Sequence, residues 1–325
     1  MAFSLDDIKA RFDATQRERP WLGFPVAVMK KSGDDKGNQL AALITYYGFF
    51  SLFPLLMVAF TVLGFVLQHN PQLQADIADT LRERLPLPGI SAESISGNGF
   101  ALVVGVALSL WSGLGATQVA QDAMNTVWDV PRNQQPNFFM KRVQGLLVLL
   151  VMGGGLALAT ASSSLVQVFG SAAAIAGIVL SFLVNAALIS VLMRVLVEDT
   201  LAFGSLKWAA VVGGVGWTAL QLMGGWYTNR LVDNADKTYG TFAVVIGLLS
   251  WILLQAKVLL YAAEVASVAS RRLWPRSLDP QRPTDADRRV AEAIVARTTP
   301  LPVSVEVDDA AVPEDSAPHR EVDHD

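Results

Sequence analysis

The chain has 325 residues, of which 52% are hydrophobic and 17% charged, and its formal net charge is −4. Soluble domains average about 25% charged residues, so this composition, with a mean hydropathy of +0.39, indicates a membrane protein. The absence of cysteine excludes a disulfide framework, a thiolate metal site and a cysteine nucleophile.

The first 39 residues are polar and charged, with no apolar core of the kind that a cleavable signal peptide requires. Three apolar residues among charged ones predict a short amphipathic helix near the start: Phe3, Ile8 and Phe12. The stretch Trp21–Met29 precedes two lysines. Two interpretations of it stay open, an interfacial anchor at the level of the lipid headgroups and an ordinary solvated arm.

Six apolar stretches follow, each close to or above the roughly 20 residues that cross a bilayer core as a helix. They are Leu40–Leu67, Phe100–Ala120, Val143–Val166, Ser171–Val197, Trp208–Tyr227 and Tyr239–Ala269. Pro54 is expected to kink the first of these helices. The pattern predicts an all-α polytopic membrane protein, a bundle of six transmembrane helices.

Small residues mark two of these stretches. In the second stretch they recur at every fourth position, at Ala101, Gly105, Ser109, Gly113 and Thr117. Such a stripe lets a neighbouring helix approach closely, either within the bundle or, through Gly105, Ser109 and Gly113, in a homo-oligomer; a ligand groove is the functional alternative. The glycines of Trp208–Tyr227 predict close packing or a locally broken helix.

The distribution of lysine and arginine predicts the orientation. Six crossings bring both termini to one side, where the flanking segments carry 15 Lys and Arg residues against four on the other side. By the positive-inside rule both termini are cytoplasmic. We therefore divide the chain into a cytoplasmic arm (1–39), a transmembrane domain (40–270) and a tail (271–325). In the tail a helix is predicted for Asp285–Arg297, and acidic disorder for residues 300–325, which carry eight acids against one arginine.

The last apolar stretch contains two ionisable residues, Lys257 and Glu264. Seven positions amount to nearly two helical turns, so both side chains project from almost one face, with Tyr261 between them. Because a charge inside a membrane span is costly unless it is paired or hydrated, the other helices are expected to pack around this face. Two roles stay open: a structural ion pair, or a site that binds an anionic headgroup or relays a proton.

Further polar residues within or beside the spans could complete a network with this pair. The candidate intramembrane polar site comprises Lys257, Tyr261, Glu264, Asn185, Gln221, Asp122, Arg194 and Glu198. Arg194 and Glu198 are four residues apart, so a simple within-helix ion pair is the structural alternative for them.

Several stretches resemble a known family. ALITYYGFFSLFPLL in the first span, AQDAMNTVWDVPR after the second, and YGTFAVVIGLLSW with YAAEVAS in the last resemble the YihY/virulence factor BrkB family of bacterial inner-membrane proteins, over residues 30–275. The resemblance implies six spans and a role in envelope integrity, with links to lipid export and serum resistance. Glu264 falls on the acid of the family's Gly-Ala-Glu pattern, whereas Lys257 stands where an apolar residue is expected.

Some members of that family carried the label of a tRNA-processing ribonuclease, which the residues do not favour. The histidines are His69, His319 and His324, and no two of them have metal-ligand spacing within an ordered element. Gly153–Gly155 lacks the Lys-Ser/Thr of a phosphate loop. We therefore predict no enzyme activity, no cofactor, no metal site and no nucleic-acid partner.

Two functions from different classes remain. The first is a transporter or flippase-like exporter of a lipid or amphiphile, with membrane lipids as partners and the polar residues above along its path. The second is a non-transporting scaffold for envelope maintenance. Because the sequence has no ATP-binding motif, transport would use an ion gradient, a partner or a downhill substrate.

Overall fold

The computed structural model describes residues 5–67, 99–168, 172–197, 203–234, 241–279 and 282–299, and these residues contain α-helices and one short 3-10 turn but no β-strand. Two helices open the chain, α1 (Leu5–Glu18) and α2 (Pro20–Asp34). Six long helices follow: α3 (Gly37–Leu67), α4 (Gly99–Val127), α5 (Phe138–Val168), α6 (Ala172–Leu196), α7 (Phe203–Asn234) and α8 (Thr241–Arg271). A last helix is α9 (Asp285–Thr298). The predicted all-α class is confirmed.

Five of the long helices have the length and apolar character needed to cross a membrane. The candidate spans are Gly37–Val58, Leu102–Val127, Phe138–Gly155, Ala176–Leu196 and Phe242–Arg271. The predicted fifth stretch, Trp208–Tyr227, lies within α7, which is a continuous helix but is not among the five. Its glycines and Gln221 lower its apolar character.

Glycines allow α7 to pack closely between α6 and α8. A Cβ atom added at Gly213 would lie 2.7 Å from Ile189 of α6, and one at Gly216 would lie 2.8 Å from Val258 of α8. Real Cβ atoms essentially never approach other atoms so closely. Of the two alternatives for these glycines, close packing is therefore confirmed and the locally broken helix is wrong.

The arm and the start of the tail fold together on one end of the bundle. We call α1, α2, α9 and the segments 272–279 and 282–284 the cap. A hydrophobic cluster joins its parts to α8, with Ala27 and Val28 from α2, Val268 from α8, Leu273, and Val290 from α9. One face of α2 is therefore packed against protein rather than solvated, while Trp21 and Met29 stay exposed on the other.

The helix predicted for Asp285–Arg297 is confirmed as α9. Thr284 and Asp287 form a capping box, in which the hydroxyl of Thr284 accepts from the Asp287 amide and the carboxylate of Asp287 accepts from the Thr284 amide. This arrangement satisfies the first amides of the helix. Part of the segment expected as a tail is thus folded, whereas residues 300–325 lie outside the described part of the chain, as do all three histidines and Glu198.

Three tight connections meet beneath the cap. Lys36 connects α2 to α3, Asp129 lies in the turn after α4, and Arg272 follows the end of α8. All three residues have a positive φ, of 56°, 51° and 52° respectively. The start of α3 and the ends of α4 and α8 are thereby brought to the same end of the bundle, where buried charges from all three gather.

Candidate functional site

A group of six charged residues, four of them buried and two partly buried, lies between the cap and the bundle. We call it the charge cluster: Lys31, Asp35, Asp129, Glu264, Arg271 and Arg297. At its centre the ammonium Nζ of Lys31 lies 2.5 Å from Asp35 Oδ2 and 3.2 Å from Asp129 Oδ2. The side chains of Lys31 and Asp35 are fully buried and that of Asp129 is 2% exposed, so these are ion pairs of the protein interior.

Two arginines complete the pairing of the aspartates. Nη1 of Arg297 donates to Asp35 Oδ1 and to Asp129 Oδ1, each at 2.9 Å. Nη1 of Arg271 donates to Asp129 Oδ2 at 3.0 Å. Burial raises the pKa of Asp129, and the nearby positive charge of Lys31 opposes that rise. Every oxygen of both aspartates therefore accepts from a cation.

The same cations cap the end of α4. The carbonyl of Val127 accepts from Lys31 Nζ at 3.1 Å and from Ser267 Oγ at 3.1 Å. Arg297 and Arg271 donate to the two neighbouring carbonyls, those of Thr126 and Trp128. The last carbonyls of a helix lack partners within the helix and carry the negative end of its dipole, so positive charges here stabilise the end of α4.

Glu264 is the unmatched member of the cluster. It is fully buried on α8 and adjoins Lys31, Asp35 and Asp129. Neither of its carboxyl oxygens makes a hydrogen bond with any described residue. A buried polar group without a partner is rare and costly, and here both oxygens of one carboxyl lack one.

Lys257, the predicted neighbour of Glu264, takes no part in the cluster. It is half-buried on α8 and makes no ion pair with Glu264, and Tyr261 is 42% exposed. The charges around Glu264 come instead from the cap and from the end of α4. The choice between a structural pair and a functional site for Lys257 and Glu264 stays open.

A second feature is a partly open cavity of about 280 Å³ among the long helices. All six long helices contribute to its walls, which are mostly apolar. The lining residues are Ser51, Gly113, Ala116, Thr117, Ala120, Val148, Leu149, Met152, Gly155, Asn185, Leu188, Ile189, Leu192, Leu196, Trp217, Gln221 and Leu259. The predicted candidates Asn185 and Gln221 are thus brought together at one cavity.

A hydrogen-bonded network forms the polar part of the cavity wall. The amide nitrogen of Asn185 donates to Gln221 Oε1 at 2.8 Å and to Thr218 Oγ1 at 3.1 Å. The hydroxyl of Ser181 donates to the same oxygen of Gln221 at 2.9 Å. Asn185 is 3% exposed, so the network presents a few fixed polar atoms in an apolar setting, as small-molecule sites do.

The other predicted candidates lie apart from both features. Asp122, near the end of α4, pairs with Lys141 at 2.9 Å and is 60% exposed. Arg194 is exposed on α6, and Glu198 falls outside the described residues, so their predicted pairing stays a prediction. The eight candidates therefore divide among different helices and depths instead of forming one network.

Five members of the charge cluster were not among the predicted candidates: Lys31, Asp35, Asp129, Arg271 and Arg297. Asp129 does lie within AQDAMNTVWDVPR and Glu264 within YAAEVAS, so two of the stretches that carry the family resemblance meet at the cluster. In the part of the chain that the structure describes, no group of three or more histidine, aspartate or glutamate residues is suited to hold a metal ion.

Comparisons with known proteins agree with the membrane architecture. The family model described as virulence factor BrkB matches residues 28–287. Inner membrane protein YhjD of Escherichia coli (strain K12) is 28% identical over 166 residues, which cover 46% of this chain and 49% of the relative, so the match spans about half of that protein.

Two further relatives match over more of their length. An uncharacterized protein of Dickeya dadantii (strain 3937) is 24% identical over 279 residues, 76% of this chain and 83% of the relative. The putative ribonuclease-like protein YfkH of Bacillus subtilis (strain 168) is 23% identical over 258 residues, 73% of this chain and 91% of the relative. No solved structure matches the chain.

Proposed function

Because the chain belongs to the virulence factor BrkB family, we propose that it is a multi-pass inner-membrane protein that binds a lipid or amphiphile in this cavity and moves it across the membrane. The cavity is the observation that carries this proposal. It lies among helices long and apolar enough to cross a membrane. Because protein interiors are close-packed and contain few voids larger than a water molecule, a cavity of this size is a candidate binding site.

The chemistry of the cavity favours an amphiphile over an ion or a sugar. Its volume of about 280 Å³ is close to the lower end of the range for small-molecule sites, about 300–1,000 Å³. Most of the lining is apolar and suits an acyl chain, while the amides of Asn185 and Gln221 are placed for an ester or hydroxyl group near a headgroup. No charged residue among those that the structure describes lines the cavity, so a free ion would find no counter-charge from them.

Six crossings, rather than five, fit this role. Contacts between α7 and α8 run in opposite directions along the two helices, from Gly213 opposite Ala262 to Tyr227, whose hydroxyl donates to the Gly247 carbonyl at 3.1 Å. This antiparallel contact extends over about 20 Å and supports α7 as a sixth crossing. The cap then lies in the cytoplasm, in keeping with the excess of lysine and arginine at that end.

A scaffold that transports nothing is the alternative, and a lipid-scrambling assay separates the two. The purified protein is reconstituted in liposomes that contain a fluorescent phospholipid, and the exchange of the lipid between leaflets is measured. We expect faster exchange than in protein-free vesicles. Exchange equal to the protein-free rate, with the protein folded, would favour the scaffold.

A pair of variants on one helix ties any exchange to the cavity. Ala116→Leu adds a side chain at a lining position of α4, whereas Ala107→Leu makes the same change at an exposed position that does not line the cavity. We expect about tenfold slower exchange for Ala116→Leu, a loss of ~1.4 kcal/mol in binding, and no change for Ala107→Leu. Equal rates for the two variants would remove the cavity from the mechanism.

A further inference from the structure

We propose that Glu264 is a proton-binding site, in which a protonated carboxyl donates a hydrogen bond to Asp35 and so helps to hold the cap on the bundle. Glu264 is fully buried and neither of its oxygens has a partner among the described residues. An ionised carboxylate in that setting would have lost its hydration without gaining a donor.

The nearby cations direct their observed hydrogen bonds at other groups. An ammonium has three donors, and those of Lys31 are used by Asp35 at 2.5 Å, by the Val127 carbonyl at 3.1 Å and by Asp129 at 3.2 Å. The hydroxyl of Ser267 is also committed to the Val127 carbonyl.

The two arginines are occupied in the same way. Arg297 directs Nη1 at both aspartates and at a carbonyl of α4. Arg271 donates to Asp129 and to the next carbonyl. Because none of these donors is bonded to Glu264, a hydrogen of its own would let it bond to a neighbouring carboxylate. Asp35, a carboxylate close enough to interact with Glu264, is the acceptor that we propose.

The charged groups around Glu264 come from the cap, from the end of α4 and from α8. They are Lys31, Asp35, Asp129, Arg271 and Arg297. The charged residues of α6 and α7 nearest this end, Arg194 and Lys207, are exposed, and the apolar core there includes Met193, Leu196, Leu206 and Ala209. Loss of the proton would set the carboxylate of Glu264 against that of Asp35, and no cation in the described residues donates a hydrogen bond to Glu264.

Proton binding thereby becomes linked to the position of the cap. Asp35 directly follows α2 and accepts a hydrogen bond from Arg297 of α9. Repulsion between Glu264 and Asp35 would therefore weaken the contacts of both α2 and α9 with the bundle. This inference does not depend on what the cavity binds, and its failure would leave the proposed lipid transport untouched.

Infrared spectroscopy tests for the proton. A protonated carboxyl has a carbonyl stretch distinct from that of a carboxylate, and it shifts in heavy water. We expect this band in the parent protein at neutral pH, its loss in Glu264→Gln, and its retention in Glu292→Gln, a control at an exposed position of α9. If Glu264→Gln does not fold, Glu264→Met removes the same carboxyl and gives the same expectation.

Several results would overturn the proton site. One is a parent spectrum without the band, and another is a band that survives both substitutions at Glu264. A band that disappears when sodium ions are added, with a gain in stability, would show that the site holds a metal cation instead.

Thiol labelling tests the link to the cap. Ala286 of α9 is 3% exposed, and the chain has no cysteine, so Ala286→Cys reports opening of the cap. The labelling rate of Ala286→Cys alone is divided by its rate in the double variant with Glu264→Gln. Glutamine mimics the protonated acid at every pH, and the ratio removes the pH dependence of the thiol's own reactivity. As the pH rises we expect the protein that keeps Glu264 to be labelled faster than the Glu264→Gln variant, with the ratio of the two rates increasing by up to about tenfold. A ratio that stays constant with pH would refute the link.

Discussion

Lys31 and Lys36 are five positions apart and lie in opposite surroundings. Lys31 is fully buried between two aspartates, whereas Lys36 is exposed at the turn into α3. Removing one partner of a buried ion pair is far more destabilising than the pair itself is stabilising, because the remaining charge is left without compensation.

The substitution Lys31→Met should therefore lower stability strongly. It leaves Asp35 and Asp129 with fewer cations and leaves the Val127 carbonyl with one donor fewer. We expect a loss of about 3–5 kcal/mol, measured as a lower unfolding temperature in detergent. Lys36→Met makes the same change outside the cluster and should have little effect. An equal loss of stability for both variants would show that the ion pairs of the cluster do not stabilise the protein.

Asp287 gives the cap a dependence on pH. Burial raises the pKa of this carboxyl, but hydrogen bonds from Lys30 and Arg276 and from the backbone of Thr284 and Ser277 outweigh burial and hold its pKa well below the usual 3.8. The unfolded chain therefore takes up a proton first as the pH falls. The stabilisation is complete above about pH 4 and is lost progressively below it.

The variant Asp287→Asn should accordingly be less stable than the parent at neutral pH, and the difference should shrink as the pH falls below about 4. Melting curves recorded across this range provide the measurement. Asp285→Asn, at an exposed position in the same helical turn, serves as the control. A difference between Asp287→Asn and the parent that does not change with pH would contradict the role given to the hydrogen bonds of Asp287.

At the scale of the element, α4 shows what its stripe of small residues does. A Cβ atom added at Gly105 would lie 3.2 Å from Val58 of α3, and one at Gly113 would lie 3.3 Å from Leu149 of α5. The stripe thus meets two different helices of the same chain. A homo-oligomer formed through Gly105, Ser109 and Gly113 stays a prediction.

Larger side chains on this stripe should push the neighbouring helices away. For Gly105→Leu and Gly113→Leu we expect losses of about 1–3 kcal/mol, typical of overpacking, seen as lower unfolding temperatures in detergent. Val104→Leu, on a different face of α4, should be tolerated. If all three variants melt alike, the stripe has no role in packing.

At the scale of the whole molecule, the helices could be predicted from the sequence because each long apolar run exceeds the thickness of a bilayer core. Helix α9 could be predicted because its polar and apolar residues alternate at helical spacing within a charged segment. These signals are local, and each can be read from one stretch of the chain.

The charge cluster could be predicted only in part. Glu264 stands out because it is an acid in an apolar run. Lys31 looks like any lysine of a polar arm, since its burial depends on Asp129 and on the Val127 carbonyl, 96 positions further along the chain. A contact between such distant residues leaves no pattern in the local sequence. The positive-inside rule already explains a lysine in the N-terminal arm as an exposed residue, so the sequence offered no reason to expect its burial.

The orientation of the molecule can be tested with single cysteines in the cysteine-free chain. Cysteines at Asn133 and Glu292, exposed near the capped end, should be protected from a membrane-impermeant thiol reagent added outside intact cells. A cysteine at Ser91, between α3 and α4, should react. Labelling of position 133 from outside would contradict six crossings with cytoplasmic termini.

Photochemical labelling tests most directly the claim that the bundle takes a lipid or amphiphile into its cavity. The protein is reconstituted with a phospholipid that carries a photoreactive group on its acyl chain, and the labelled residues are mapped by mass spectrometry. We expect labelling of Ile189 and Leu192, which line the cavity and are 3% and 8% exposed, as well as of Val179 and Leu183 on the outer face of the same helix. Ala116→Leu should reduce only the labelling inside. Labelling confined to Val179 and Leu183 would contradict a lipid-binding cavity.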